Sequence, residues 1–482
     1  MKNQHTNWTI CQECQGCGKI SQKLSKKKLL LYQIEYNQFI KNNSGAVAPI
    51  RPTGHVTSCL HCNGSGLLLA TLSPIVSTHN YPHVAIIGGG IGGVALAVAC
   101  LYRGIPFTLF ERDNTFNARS QGYGLTLQQA SKAIKGLGIL SLAEGVNSTR
   151  HLVHTTYGKI IGEWGMRKWM KLDEKTPPKH TNIHIARQAL RLALLEQLGT
   201  HNEVQWGHQL VGFNESEGKG VKLSFEVNGA LKTTYSDLVV GADGIRSTVR
   251  KLIIGDEITP LRYLGCIVIL GICPLAALKG VESSLLDSAT VFQTANGNER
   301  IYIMPYAFDS IMWQLSFPLP ENEAKALSAQ GPKALKEEAC RRTQWHSPIP
   351  QIVSATMEAQ VTGYPVYDRE LLQPKLLQQC GNITLIGDAA HPMSPFKGQG
   401  ANQALLDALA LARVIYKECN LSSQWRQVGI RETVLTKFEA EMLERSASKV
   451  KDSAAAAQFL HSEAVLYEGD MPRGHIVKTK EE

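Results

Sequence analysis

Three carboxylates in this 482-residue chain stand where a short apolar run gives way to a turn. Asp388, Glu111 and Asp243 each follow a run that is typical of a buried strand. A carboxylate at the end of a strand can accept hydrogen bonds from the hydroxyl groups of a sugar or a polyol. The positions of these acids therefore indicate a site for a ligand that carries such hydroxyl groups.

Two glycine-rich loops could supply further contacts to such a ligand. Gly88, Gly90 and Gly93 form the pattern G-x-G-x-x-G, and the loop 395–402 opens a helix-like segment rich in Ala and Leu. Backbone N–H groups at the start of a helix attract an anion or an electron-rich ring. Each loop therefore predicts a helix N-terminus that faces a ligand.

The first glycine loop lies in a complete βαβ pattern. A buried-strand run at 84–87 leads into the glycines, a helix is predicted at 94–102, and a second strand at 107–110 ends at Glu111. In this arrangement the first glycine permits a tight turn, the second lets the backbone approach a pyrophosphate, and the third lets helix and strand pack closely. Because Glu111 could accept a hydrogen bond from a ribose, the segment predicts dinucleotide binding.

A third segment repeats the order of strand, turn and helix, with Asp243 and Gly244 at its turn. Taken alone, such a pair is also common in ordinary β-turns. Together with the glycine fingerprint and with Gly387 and Asp388, it resembles the motif set of the single-component flavoprotein monooxygenases, the family that includes p-hydroxybenzoate hydroxylase. The resemblance extends over residues 81–412, and the order and wide spacing of the three motifs are specific.

The resemblance implies an α/β fold: a Rossmann-like FAD-binding domain of the GR2 type with an inserted β-sheet substrate domain. FAD would be the cofactor and NAD(P)H a co-substrate. The pyrophosphate would lie on the glycine fingerprint, the adenosine ribose at Glu111, the ribityl chain at Asp388 and the flavin ring beside loop 398–402. By the same resemblance, the cofactor-binding residues are Gly88, Gly90, Gly93, Glu111, Arg112, Arg187, Asp243, Gly244, Asp388, Pro395, Gly398, Gly400, Ala401 and Asn402. Arg119 and Gln121 are looser assignments to the surroundings of the flavin.

The activity that the resemblance implies is the insertion of one oxygen atom into an aromatic or other electron-rich small molecule. NAD(P)H would reduce FAD, and reduced FAD would react with O2 to form a C4a-hydroperoxide that transfers the oxygen. No catalytic side chain or metal is assigned, and His391 is interpreted as part of a turn. Two alternatives stay open: an FAD-dependent dehydrogenase or reductase on the same fold, and a redox-sensing interaction protein.

Composition is consistent with a large folded enzyme. Hydrophobic residues make up 43% of the chain, and no apolar stretch reaches the roughly 20 residues of a membrane span. The first residues lack the apolar core of a signal peptide, so the expected location is the cytoplasm. The formal net charge is +9, but without interleaved aromatic residues nucleic acid is not an expected partner, and the oligomeric state stays open.

Five of the eleven cysteines lie near the N-terminus in two C-x-x-C-x-G-x-G patterns. Four of them could hold one structural Zn²⁺ in a tetrahedron. The patterns resemble the cysteine-rich zinc repeats of DnaJ-type chaperones, with only two repeats and a longer gap between them. Cys17 is left over, His61 could replace a ligand, and disulfide pairing would need a secretory context. The predicted ligands are Cys11, Cys14, Cys59 and Cys62.

The segment between the two cysteine patterns is basic. Residues 21–52 contain six Lys or Arg residues against one acid, Glu35, and residues 29–40 are predicted to form a short amphipathic helix. One interpretation is a surface for an acidic or protein partner. The other is a solvated helix face with no partner.

These patterns predict four regions. They are a cysteine-rich zinc module at 1–70, a linker at 71–81, an FAD-binding monooxygenase domain at 82–425 and a C-terminal helical region at 426–482. The substrate sheet would come from roughly 151–180 and 261–378, where runs alternate in polarity. Alternate residues of a strand face opposite sides, so only some candidates can line a pocket. The candidates are Tyr302, Met304, Tyr306 and Trp313.

Overall fold

The chain forms two compact units, Met1–Pro74 and Ile75–Glu482. The division falls inside the segment 71–81 that is predicted as a linker. The computed structural model describes residues 6–21, 24–42, 56–118, 123–169, 182–199, 204–216, 220–419 and 425–473.

The first unit consists of two short antiparallel strand pairs and one helix. β1 pairs with β4 and β2 pairs with β3, which brings the two cysteine patterns side by side. α1 includes the predicted helix 29–40 and exposes most of its apolar side chains. The elements are β1 (Asn7–Ile10), β2 (Lys19–Ser21), α1 (Lys26–Asn42), β3 (Val56–Ser58) and β4 (Leu67–Ala70).

The second unit is a mixed α/β structure. Its strands are β5 (Val84–Ile87), β6 (Phe107–Glu111), β7 (Gly124–Leu127), β8 (Val146–Asn147), β9 (Arg150–Thr155), β10 (Ile160–Trp164), β11 (Ile183–Ala186), β12 (Val204–Trp206), β13 (Gln209–Ser216), β14 (Gly220–Val227), β15 (Ala230–Ser236), β16 (Leu238–Gly241), β17 (Arg262–Pro274), β18 (Thr290–Ala295), β19 (Arg300–Ala307), β20 (Ser310–Pro318), β21 (Val361–Asp368) and β22 (Ile383–Leu385). Its helices are α2 (Ile91–Leu101), α3 (Met166–Trp169), α4 (Arg187–Glu196), α5 (Thr248–Ile254), α6 (Glu321–Ala329), α7 (Pro332–Arg342), α8 (Ile349–Ala355), α9 (Pro374–Gln378), α10 (Gly400–Glu418), α11 (Trp425–Val428) and α12 (Thr436–Leu460), the last preceded by a π-helical turn, Arg431–Leu435.

A five-stranded parallel sheet in the order β12-β6-β5-β16-β22 brings the three motifs together. β5 is apolar and buried along its whole length, because both faces of the sheet are covered: α2 packs on the sheet, and so does β14, through the stacked rings of Phe110 and Phe225. β16 lies between β5 and β22, with Gly241 paired to Ile87 on one side and to Leu385 on the other. The glycine fingerprint, the Asp-Gly turn and the Gly-Asp turn therefore emerge side by side at one edge.

A seven-stranded sheet in the order β10-β9-β18-β19-β20-β17-β21 forms the second layer. Neighbouring strands are antiparallel except β9 and β18. One face packs on α6, α7 and α8 through a core that includes Trp313 and Phe317. Two three-stranded antiparallel sheets, β7-β11-β8 and β13-β14-β15, complete the unit. The predicted α/β class, with a Rossmann-like domain and a second sheet, is confirmed.

No helix in the described parts of the chain is both long enough and apolar enough to cross a membrane.

Candidate functional site

A cavity of about 1080 Å³ opens where the three motifs emerge from the parallel sheet. Its wall begins at Gly90, at the start of α2, passes Asp388 after β22, and reaches Tyr302 on the seven-stranded sheet. Small-molecule pockets usually occupy roughly 300–1000 Å³, so this cavity is large enough for an extended ligand.

The three glycines of the fingerprint have different surroundings: Gly88 and Gly93 are tightly packed against backbone atoms, whereas Gly90 borders open space. A Cβ on Gly93 would lie 1.9 Å from the carbonyl oxygen of Gly88, and a Cβ on Gly88 would lie 2.6 Å from that of Ala242. Gly88 also has a φ of 110°, which favours glycine. A Cβ on Gly90 would meet only Arg187 Nη2, at 3.9 Å. The space before α2 is therefore open, and it fits a phosphate group at a helix N-terminus.

Glu111 holds the fingerprint loop from behind. Its Oε2 accepts a hydrogen bond of 2.7 Å from the backbone N–H of Gly89, and its Oε1 accepts one of 2.9 Å from that of Asp113. The Gly89 carbonyl in turn accepts a 2.6 Å hydrogen bond from Arg191 Nε. Glu111 thus positions the loop, whereas Arg112 is exposed.

Asp243 caps the helix that follows its turn. Its Oδ2 accepts hydrogen bonds from the backbone N–H groups of Thr248 at 2.7 Å and Val249 at 3.1 Å, and Ser247 donates to Oδ1. Burial raises the pKa of the Asp243 carboxyl, and these hydrogen bonds oppose the rise. The carboxylate therefore orders the turn, and Gly244 is the member of the pair that lines the cavity.

Asp388 projects into the cavity beside the start of α10. A Cβ added to Gly400 would lie 3.4 Å from its Oδ1. The residue is exposed to the cavity, and desolvation by the surrounding protein raises the pKa of the carboxyl, while the charges of His391 and Arg187 oppose the rise. The Arg187 guanidinium also lies 5.6 Å from the centre of the Tyr123 ring. The acid can therefore accept hydrogen bonds from a hydroxylated ligand beside a fixed cation.

Asn402 joins the loop before α10 to a second cavity segment. Its Oδ1 accepts hydrogen bonds from the backbone N–H groups of Gln128 at 2.9 Å and Ala130 at 3.1 Å. Its Nδ2 donates to the carbonyls of Thr126 at 2.9 Å and Gly398 at 2.8 Å. All its side-chain hydrogen-bonding groups are engaged, so this fully buried residue fixes the loop rather than facing the cavity.

His391 and Asp407 form a buried ion pair behind the Gly-Asp turn. His391 Nε2 lies 2.7 Å from Asp407 Oδ2, which also accepts a 2.8 Å hydrogen bond from the Gly387 N–H. Arg445 donates to Oδ1 at 2.9 Å. Burial alone would lower the pKa of His391, but the Asp407 carboxylate raises it above its usual value. Burial alone would raise the pKa of Asp407, but His391 and Arg445 lower it. The pair braces the turn that presents Asp388.

The far end of the cavity is formed by alternate residues of the seven-stranded sheet. Tyr302 and Met304 line it, as predicted, together with Met312 and Gln314 of β20. Trp313 does not, because it points to the opposite face, where its Nε1 donates a 2.8 Å hydrogen bond to Thr356 Oγ1. Its interpretation as a lining residue was wrong.

A chain of hydroxyl and imidazole groups runs along another part of the wall. Thr126 Oγ1 lies 3.0 Å from His184 Nδ1, His184 Nε2 lies 2.7 Å from Ser148 Oγ, and that oxygen lies 3.2 Å from His151 Nε2. Burial lowers the pKa of His184 to about 3 and that of His151 to about 4. Both rings are therefore neutral at physiological pH.

The structure brings eight of the predicted cofactor-binding residues to the cavity wall, whereas six are not part of the wall. Arg119 and Gln121 lie outside the described residues. The residues at the wall are Gly90, Arg187, Gly244, Asp388, Pro395, Gly398, Gly400 and Ala401. The residues outside the wall are Gly88, Gly93, Glu111, Arg112, Asp243 and Asn402.

Sequence reasoning missed three residues that shape the site. Asp407 carried a usable signal, since it is the one acid within the apolar run 404–412 of α10. Arg191 carried another, because it follows Arg187 by four residues and so shares its helix face. His184 carried none, because its partners are distant in sequence.

The first unit holds a compact group of four thiols. Each cysteine pattern forms a tight turn, called a knuckle here, in which a glycine N–H lies 3.2 Å from the second cysteine sulfur. Facing sulfurs are 3.9 Å apart for Cys11 and Cys59 and 3.7 Å for Cys14 and Cys62, and all four lie within 4.8 Å of one another. A tetrahedral zinc site with Zn–S bonds of about 2.3 Å places its sulfurs about 3.8 Å apart, so the cluster fits Zn²⁺.

A family model described as an FAD binding domain matches residues 81–424. The chain belongs to this FAD-binding family. The match contains all three motifs and most of the residues that line the cavity, which makes FAD the cofactor of the second unit. The predicted family is thereby confirmed for this unit.

Relatives of this flavoenzyme are named as monooxygenases. The aurachin C monooxygenase/isomerase of Stigmatella aurantiaca is 30% identical over 379 residues, which cover 78% of this chain and 88% of the relative. The 3-amino-4-hydroxybenzoate 2-monooxygenase PtnB3 of Streptomyces platensis is 28% identical over 354 residues, covering 70% and 81%. The crystal structure of Klebsiella pneumoniae HpxO with FAD and uric acid shares the fold, with a TM-score of 0.64 at 21% identity, covering 79% of this chain and 89% of that one. The flavoenzyme is an FAD-dependent monooxygenase.

Proposed function

We propose that FAD lies along the cavity with its pyrophosphate at the N-terminus of α2, its ribityl chain at Asp388 and its flavin ring beside the loop before α10. The open space before Gly90 supports the first contact. The carboxylate of Asp388, next to Arg187, supports the second. The helix N-terminus at Gly400 supports the third, because it favours negative charge on a reduced flavin. Gly88, Gly93, Glu111, Asp243 and Asn402 would position these contacts from behind.

We propose that the enzyme hydroxylates an aromatic or heterocyclic small molecule with NAD(P)H and O2 as co-substrates. The observation that carries this is one continuous cavity that joins the Asp388 region to the wall formed by Tyr302 and Met304. Bound FAD would supply the activation of O2. The chain would orient the substrate against this wall and keep water away from it. The aminohydroxybenzoate relative supports an aromatic substrate.

This proposal is tested with the full chain reconstituted with FAD. A panel of aromatic acids, phenols and quinolines is screened for compounds that accelerate reduction of bound FAD by NADH or NADPH. Turnover of each such compound under isotopically labelled O2 should place the label in the product. Unlabelled oxidised product would show a dehydrogenase. Failure of both nucleotides to reduce FAD with every compound would favour a redox-sensing protein.

We propose that the four thiols of the first unit bind one structural Zn²⁺. Purified full chain should contain about one equivalent of zinc by elemental analysis. Cys62→Ser should lose the metal and lower the melting temperature of the first unit. Cys17→Ser is the matched control. It should keep the metal, because Cys17 is exposed and its sulfur, which lies 3.9 Å from the Gln15 carbonyl oxygen, is not one of the four clustered thiols. Far less than one equivalent in the unaltered protein would refute the site.

We further propose the domain boundaries given by the sequence and a cytoplasmic location. All eleven cysteines are free thiols in the structure, which is usual in a reducing compartment.

A further inference from the structure

Arg300 is a buried cation in the second unit. Only 4% of the residue is exposed, and no carboxylate pairs with it among the described residues. Its Nε donates a 2.7 Å hydrogen bond to Gln293 Oε1, whereas its Nη1 has no hydrogen-bond partner. The guanidinium lies 4.9 Å from the centre of the Tyr302 ring. A buried charge is normally paired, so this arrangement requires a physical reason.

Arg300 belongs to the wall of the cavity. Arg300 and Tyr302 are two residues apart on β19, and both line the cavity. Tyr302 lies opposite Gln293 of β18 and Gln314 of β20, and both glutamines line the cavity as well. This part of the wall therefore offers neutral polar groups and one cation.

Neighbouring titratable groups do not neutralise the cation. Burial lowers the pKa of Arg300 to about 10, so the side chain stays protonated at neutral pH. Burial also raises the pKa of Tyr302 to about 12, which keeps its hydroxyl neutral. His461 also interacts electrostatically with Arg300. Burial lowers the pKa of His461 to about 4, so its ring is neutral too. The positive charge of Arg300 is therefore available to an anionic group of a ligand in the cavity.

We propose that the substrate of this enzyme carries a carboxylate and that Arg300 binds it. A guanidinium presents a planar fork of N–H donors that matches a carboxylate, and charge-assisted hydrogen bonds of this kind are short and strong. Gln293 fixes the Nε end of the fork, which orients the remaining donors. The inference rests on the proposed function, in which a small molecule occupies this end of the cavity.

The test compares two probes of nearly equal shape, 2-naphthoate and 2-naphthamide. Their binding to the FAD-reconstituted full chain is measured by calorimetry and by the change in flavin absorbance. The unaltered protein should bind 2-naphthoate at least about tenfold more tightly, since a hydrogen bond to a charged group is worth roughly that factor or more. Arg300→Gln should abolish the preference, and Arg300→Lys should restore part of it because it returns the charge without the fork.

Arg341→Gln is the matched control. Arg341 is an exposed arginine that pairs with Glu338 and does not line the cavity, so the substitution removes the same charge outside the wall and should leave the preference intact. Arg300→Met adds a readout that a structural role would not give. Removal of an unpaired buried charge should raise the melting temperature without ligand, and 2-naphthoate should no longer raise it further.

Equal binding of the two probes by the unaltered protein would overturn the proposal, as would a full preference in Arg300→Gln. Loss of the preference in Arg341→Gln as well would show a general charge effect and would also overturn it. Binding does not need turnover, so the two proposals can fail separately. An intact carboxylate preference without labelled product would refute the hydroxylation reaction alone.

Discussion

Gly93→Ala should destabilise the second unit by about 3 kcal/mol and abolish FAD binding, since overpacking of a tight contact costs on that order. The added Cβ would lie 1.9 Å from the Gly88 carbonyl oxygen. The turn between β5 and α2 must then open, because the atom in contact is backbone and cannot rotate away. Chemical denaturation of the FAD-free protein measures the stability, and the flavin absorbance of purified protein measures the binding.

Two neighbouring glycines give matched controls for the same substitution. A Cβ on Gly92 would lie 3.4 Å from the Ala404 Cβ, an ordinary contact, so Gly92→Ala should keep both stability and FAD. Gly90→Ala should keep the stability of the FAD-free protein but weaken FAD binding, because its Cβ enters the open space before α2. Equal behaviour of Gly93→Ala and Gly92→Ala would refute the packing argument.

Asp407→Asn should lower the free energy of unfolding by about 3–5 kcal/mol, the usual effect of breaking a buried charge pair. The amide leaves His391 and Arg445 without the carboxylate that faces both of them, and it weakens the bond to the Gly387 N–H. The turn that presents Asp388 then loses its support, so FAD should bind more weakly as well. Glu441→Gln is the matched control, because Glu441 contacts the same arginine from the exposed surface and should matter by less than about 1 kcal/mol.

The same substitution should change how stability depends on pH. The pKa of His391 is raised in the folded protein, so its contribution is complete below its usual value and is lost as pH rises through the raised one. The pKa of Asp407 is lowered, so its contribution is present above its usual value and is lost as pH falls through the lowered one. Between these limits Asp407→Asn should remove the contribution of the pair. The two stability curves should converge outside that window, so curves that stay parallel as pH rises through the raised pKa of His391 or falls through the lowered pKa of Asp407 would contradict the assignment.

The meeting of the three motifs could be predicted from the sequence. Asp388, Asp243 and the glycine fingerprint each follow a parallel strand, and the carboxyl ends of parallel strands share one edge of a sheet. The order of the motifs resembles that of the single-component flavoprotein monooxygenases, and this resemblance predicted the family, the fold class and FAD. The different roles of Asp243 and Asp388 could not be predicted, because they depend on which atoms each carboxylate contacts in the folded chain. Asp243 meets the N–H groups of the next helix, whereas Asp388 meets the cavity.

The sequence pattern could not predict which way a side chain points or which residues pair across long distances in the chain. Met312 and Trp313 are adjacent and apolar, yet one lines the cavity and the other fills the core, and only the register of β20 decides between them. Asp407 is braced by Arg445, a residue of another helix, which no local pattern could indicate. Arg300 follows no strong motif, and its lack of a counter-ion becomes visible only once its surroundings are assembled.

The two knuckles of the first unit are near-copies related by a twofold arrangement. Cys11 faces Cys59, and Cys14 faces Cys62. In each pair the two cysteines are 48 residues apart in the sequence. A metal held by these four thiols would tie together the ends of the intervening segment, which contains β2, α1 and β3. Doubling the length of a chain segment between two fixed ends adds only about 0.6 kcal/mol to the cost of closing it. We therefore expect the four-thiol cluster to tolerate a longer intervening segment. Foreign sequence, such as a tag or a reporter, should be accepted there at little cost to the first unit.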